Sequence, residues 1–197
     1  VTVVLEPRAD LRAPWAKQRI LDTADELFYN DGIRIVGVDR LINVSSVTKA
    51  TFYKHYGSKE RLILAYITGR HEAMQSRVTE IIDASVDAED ALRNLVTSYS
   101  ASISGSCFRG CAFANAASEF PDSAHPVRAV VAEHRDWRTG VLSDLLAQLG
   151  HPMPGDAADE FMLAIDGAHA GGYAGDPIAA TTAFQRVTSR IIASARS

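Results

Sequence analysis

VTKATFYKHYGSKERL, residues 47–62, carries a turn, a short helix and the opening of a longer one in a single run. Thr48 has the residue type of an N-cap, whose side-chain oxygen accepts from an early helical amide. On a helix from Thr48 to Tyr56, Phe52 and Tyr56 share one face at i, i+4. Lys49, Ala50, Thr51, Tyr53, Lys54 and His55 cover the rest. Gly57-Ser58 ends this helix, and Ser58 caps the next, which begins at Lys59-Glu60 with an acid in its first turn.

Toward the N-terminus, Val38–Val44 forms a second short helix with Leu41, Ile42 and Val44 apolar, joined to the first by the turn Ser45-Ser46-Val47. Before it, Pro14 to Tyr29 carries Ile20, Leu21, Ala24, Leu27 and Phe28 as a single stripe, with Asn30-Asp31-Gly32 as a stop signal. Two short helices joined by a tight turn, behind a supporting helix, form a helix-turn-helix. Its elbow is expected to pack Leu41, Val44, Val47, Phe52 and Tyr56 against Leu27 and Phe28, which presents residues 49, 50, 51, 54 and 55 to a DNA major groove. Lys49 suits a guanine edge or a phosphate, and the methyls of Ala50 and Thr51 suit thymine. Tyr53, His55 and Lys59 suit the sugar–phosphate backbone. Patterning alone equally permits a three-helix packing unit with an ordinary polar surface.

Toward the C-terminus, the fourth helix extends to about Ile82, and Asp87 caps a helix to Ile103. The pattern breaks over residues 104–110. Helices then follow over Cys111–Glu119 and Pro126–Leu149, a loop over His151–Gly155, a helix capped by Asp156 and reaching Gly171 or Gly172, and a last one opened by Asp176-Pro177. Apart from alternation in residues 1–5, nothing suggests a strand. The expected fold is all-α with about nine helices: an N-terminal helix-turn-helix domain over 14–62 and a second helical domain over 63–197, to which the family resemblance given below assigns ligand binding and dimerisation.

The 197 residues carry a net charge of −4 with 47% hydrophobic content, the composition of an ordinary globular chain and not a disordered one, and the net charge argues mildly against a protein that simply coats nucleic acid. The charge is divided: residues 1–62 hold ten Lys/Arg against eight Asp/Glu, and residues 63–197 hold ten against sixteen. Such a distribution suits a local DNA contact. No apolar run reaches the ~20 residues of a membrane span. The first residues lack a secretory pattern, residues 1–13 read as a loosely held arm or a remnant, and a cytoplasmic location is the expectation. Cys107 and Cys111 are too few for a disulfide framework; they permit a thiol sensor or a soft-metal pair, and two buried inert thiols is the expectation. No metal site or cofactor is expected.

Arg19-Ile20-Leu21, Ala24, Leu27-Phe28, Gly32 and the dense run from Val47 to Leu62 resemble the N-terminal domain of the TetR family of transcriptional regulators. The resemblance covers about Trp15 to Leu62. It implies an all-helical homodimer that binds a palindromic double-stranded DNA operator, most often a repressor released by a small-molecule effector, here of unknown identity. The family's DNA-contacting positions fall on Lys49, Ala50, Thr51, Tyr53, Lys54, His55 and Lys59. Two departures stand out: Ser45-Ser46 replaces the family's usual Ala-Gly in the elbow, and Gly37 replaces a Thr before the second helix. Phe108–Pro121 further resembles one subgroup of the family.

In the C-terminal part, Tyr99, Ile103, Phe108, Phe113, Trp137, Phe161 and Ile165 are candidates to line an effector pocket, along with Val96, Phe120, Val141 and Met162. Each is also an ordinary core residue. Asn115, Glu119, His134 and His169 are candidate polar anchors. Ala164, Gly167, Ala168 and Gly171 permit close helix approach, and Phe184, Val187, Ile191 and Ile192 give the last helix an apolar stripe, so the last two helices suit a twofold dimer. An enzyme is the first alternative, with Glu133-His134, His169 and the cysteines available, yet no nucleophile–base–orienter set assembles from their spacing. A helical protein-interaction module without DNA affinity is the second.

Overall fold

The computed structural model describes residues 13–195; the β-like alternation expected in residues 1–5 and residues 1–12 of the arm expected over 1–13 lie outside them, and Ala13 opens the first helix instead of belonging to an arm. Among the described residues there are nine α-helices: α1 (Ala13–Asp31), α2 (Val38–Ser45), α3 (Lys49–Tyr56), α4 (Lys59–Ala84), α5 (Ala88–Ile103), α6 (Ala112–Glu119), α7 (Pro126–Gln148), α8 (Pro154–Ala174) and α9 (Pro177–Ser194). The chain divides into two compact units, with the division after Tyr66, inside α4.

In the first unit the stripe of α1 becomes core. Ile20, Ala24, Leu27 and Phe28 are buried against Leu41, Phe52 and Tyr56, and Phe28 meets Tyr66 edge-on. Complete burial of Phe52 contributes roughly 2–3 kcal/mol. Tyr56 fixes the end of α3 to α1 by donating its hydroxyl to Lys17 O at 3.0 Å. Burial, aided by Asp22, pushes that phenol up to about 12. Val44 does not pack inward as expected: it is 52% exposed. The inward position one turn after Leu41 belongs to Ser45, which is buried and donates its hydroxyl to Leu41 O at 2.6 Å.

The second unit is built from the latter part of α4 through α9, with a core running through α5, α7, α8 and α9. Tyr99, Ile103, Phe161, Ile165 and Phe184 belong to this core, and Phe108 and Trp137 pack against it. Helix starts follow their caps. Asp87 accepts from Asp90 N at 2.8 Å, and Asp176 accepts from Ile178 N and Ala179 N ahead of Pro177. Asp156 is not a cap: Pro154 takes the first helical turn, so α8 starts earlier, and Asp156 lies in that turn near the positive helix end. Gly172 lets α8 approach α5, because a Cβ there would run into Ile103 Cγ2. No described helix is long and apolar enough to cross a membrane.

Candidate functional site

The elbow between α2 and α3 turns on Ser46, whose φ of 53° and ψ of 45° place it in the left-handed region. It is the sole non-glycine residue with positive φ among the described residues. Ser46 N–H donates to Asn43 O and Val47 N–H reaches back to Ile42 O at 3.3 Å, a helix-ending pattern that normally selects glycine. Ser46 therefore carries a local strain of about 1–2 kcal/mol. Gly37 precedes α2 with no side-chain cap.

Thr48 caps α3 as its residue type predicts, accepting from Thr51 N at 3.1 Å. Its hydroxyl also pairs with that of Thr51 at 2.8 Å, which orients Thr51 on the first turn. Lys49, Ala50, Tyr53 and Lys54 are exposed along one side of α3, and Thr51 and His55 are half-buried. Tyr53 sits edge-on to Phe52 at 5.3 Å. Lys59 is set apart from this group: its Nζ donates to Arg34 O at 3.3 Å and lies 5.9 Å from the Phe28 ring centre. A small apolar-and-polar face flanked by cations, on a short helix with nothing bulky at Ala50, is suited to a groove.

The second unit contains a cavity of about 550 Å³ between α6, α7 and α8. Of the expected pocket residues, Phe113, Asn115, His134, Met162 and His169 line it, while Tyr99, Ile103, Phe161 and Ile165 are core. Glu119 is half-buried at the end of α6 and is not among the lining residues. Asn115 donates to Arg109 O at 2.9 Å. Sequence reasoning passed over Arg135, Arg138, Asp166 and Tyr173, which complete the wall. Arg135 pairs with Asp166 at 2.7 Å. Cys111 also lines the cavity and is half-buried, and Cys107 is exposed; both are free thiols, so the expectation of two buried ones fails. The reason is local: both lie in or beside the irregular 104–111 segment, away from any helix core stripe.

His134 is the most enclosed polar group of the wall. Its ring stacks on Phe113 with centroids 3.4 Å apart and planes within 7°. Its Nδ1 lies 3.0 Å from His71 Nδ1, while its Nε2 finds no partner among the described residues. Burial, with Arg138 and His71 adding repulsion, holds its pKa down at about 3. His169 donates Nδ1–H to Ile165 O at 2.9 Å; burial, then Arg138, lowers it to about 4. Both imidazoles are neutral at physiological pH.

Of the expected dimer residues, Ala168, Phe184 and Ile191 are consumed by the monomer core, and Ala164 is half-buried. Gly167 and Gly171 are exposed, and Val187 is 40% exposed. Leu163, one turn before Gly167, is 65% exposed and was not singled out in the sequence.

A helix-turn-helix unit followed by a helical unit with a cavity defines a class of DNA-binding regulators. A family model, "Bacterial regulatory proteins, tetR family", matches residues 20–66. SCO4454, a TetR-family transcriptional regulator from Streptomyces coelicolor, shares 36% identity and a TM-score of 0.89 over 92% of this chain and 96% of its own. A TetR-family regulator from Cytophaga hutchinsonii has the same fold, with a TM-score of 0.79 and 18% identity over 94% of this chain and 97% of its own. LmrA, an HTH-type transcriptional regulator of Bacillus subtilis (strain 168), is 24% identical over 140 residues, 68% of this chain and 73% of its own. The chain belongs to the TetR family of transcriptional regulators.

Proposed function

We propose that the protein is a ligand-responsive repressor that binds a palindromic operator as a homodimer and leaves it when a small molecule enters the α6–α7–α8 cavity. The observation that carries this reading is the exposed face of α3, held by the Thr48 cap and the Tyr56–Lys17 bond, in a chain of this family. Lys49, Ala50 and Thr51 are the base-reading residues. Tyr53, Lys54 and His55 hold the phosphate backbone, and Thr48 sets the helix start. Lys59, occupied by Arg34 O, contributes a phosphate contact only after swinging away.

Residues 14–62 form the DNA-binding domain in this reading, and 63–197 the effector and dimerisation domain. Two recognition helices related by a twofold enter successive major grooves about 34–36 Å apart. Gly167 and Gly171 on α8, with Val187 on α9, are the part of the expected dimer face left available, and exposed Leu163, one turn before Gly167, extends it. Effector binding acts through α4, which supplies residues to both units.

The test is operator selection from random DNA with the purified protein, then fluorescence anisotropy on the selected site. Lys49→Gln and Thr51→Val are expected to change the preferred sequence. Lys54→Gln is expected to weaken binding on all sequences and to lower the salt slope by about 1. Enrichment of no sequence, or the same loss on all DNA for all three variants, sinks the reading.

A further inference from the structure

The charges around the cavity do not balance. Arg135 is neutralised by Asp166, and His134 and His169 are held neutral by burial. That leaves Arg138, which lines the cavity at 5% exposure. Its Nε and Nη2, the two donors on one edge of the guanidinium, find no acceptor among the described residues. The Tyr99 ring lies 5.2 Å from its Cζ, and its charge also bears on His134 and His169. A buried cation with unmet donors costs several kcal/mol unless something anionic meets it.

We infer that the cavity takes a small organic monocarboxylate with an apolar body, whose carboxylate pairs with the Nε/Nη2 edge of Arg138. This rests on the reading of the cavity as the effector site. The Nε–Nη2 edge is a flat two-donor fork that matches the two oxygens of a carboxylate. One positive charge balances one negative one, which disfavours a dianionic phosphate. The rest of the wall suits an apolar body: Phe113, Ala117, Val131, Met162 and Ala170 surround the space, with Tyr173 beside them. Arg138 lines the cavity while its Nε and Nη2 are themselves buried, so the carboxylate reaches them through a rotamer step of Arg138 and not by rigid insertion.

Isothermal titration of the full chain with 4-phenylbutyrate, decanoate and 2-naphthylacetate, each against its own primary amide, tests the inference. At least one acid is expected to bind ten-fold or more tightly than its amide. Arg138→Met, shown to be folded by its circular-dichroism melt, is expected to erase that gap. Amides that bind as well as the acids, or no binding by any of the acids, overturn it; the wild-type comparison decides even if Arg138→Met does not fold. Anisotropy on the selected operator separates the two readings. Acids that bind without releasing DNA support the ligand class and sink the effector role. Amides that release DNA as well as the acids sink the ligand class and leave the effector role standing.

Discussion

Nδ1 of His71 and Nδ1 of His134 lie 3.0 Å apart in the interior of the second unit, so one ring donates while the other accepts. The bond joins α4 to α7, and the far face of His134 is stacked on Phe113 of α6. A ligand entering the cavity therefore meets, through His134, a residue of α4.

The first prediction follows from the neutral state of these rings. In the unfolded chain a histidine titrates near 6.5, whereas His134 and His169 are held at about 3 and about 4 in the fold. Below pH 6.5 the unfolded chain takes up protons that the folded one refuses. Their stabilising contribution is complete above that pH and is lost as pH falls toward the folded values. The unfolding free energy from urea titration is expected to be flat above pH 7 and to drop by pH 5, by on the order of 1–2 kcal/mol per histidine, with the midpoint falling accordingly. His134→Gln flattens the drop. A wild-type midpoint constant from pH 7.5 to 5 contradicts the assignment.

Ser46 gives a second. Ser46→Gly relieves the left-handed strain and loosens the unfolded chain, for a net gain of about 0.5–1 kcal/mol. Ser46→Val adds a β-branched side chain to the same backbone and costs at least about 1 kcal/mol. Chemical denaturation of both variants checks the sign, and a destabilising Gly removes strain as the explanation.

Gly172 and Gly167 form a third, internal comparison. Gly172→Ala drives a methyl into Ile103 and is expected to cost about 1–3 kcal/mol. Gly167→Ala meets nothing within 4 Å and is expected to be neutral or stabilising by up to ~1 kcal/mol in the monomer. Equal melting temperatures for the two would show that α8 does not press on α5 as described.

The fourth concerns assembly. Gly167→Arg and Leu163→Arg place charge on the exposed stripe of α8 without touching the core. Sedimentation is expected to show a dimer for the wild type and a shift to monomer for both variants, with operator affinity lowered ten-fold or more. An unchanged dimer moves the interface elsewhere.

The helices were legible because their signals are local. The spacing of Ile20, Ala24, Leu27 and Phe28, the Thr48 and Asp176 caps and the Gly57 break each involve residues within a turn or two. Val44 and Asp156 were misread for the same local reason. One turn of helix decides whether Val44 or Ser45 faces inward, and Pro154 competes with Asp156 for the helix start. The cavity was less legible because an arginine in a sequence reads as solvated. A signal was nevertheless present. The buried positions of α7 run Val127, His134, Arg138, Leu142, Leu145 and Leu146, so two polar residues occupy an otherwise apolar stripe. Polar side chains at core spacing mark a wall that faces something other than the core. Which small residues of α8 would be taken up inside the monomer depended on how α9 packs against it, and the sequence pattern of α8 does not contain that.

Arg138 also sets an opposition between durability and response. An enclosed cation with unmet donors makes the ligand-free fold softer than an apolar residue of the same length would, so Arg138→Met is expected to melt at a higher temperature than the wild type. The same change removes the group that distinguishes an acid from its amide. A chain shaped for endurance alone would have no use for this arginine. Its presence makes the ligand a missing piece of the interior, and each bound acid raises the resistance of the protein to unfolding and proteolysis in proportion to the logarithm of its concentration over Kd.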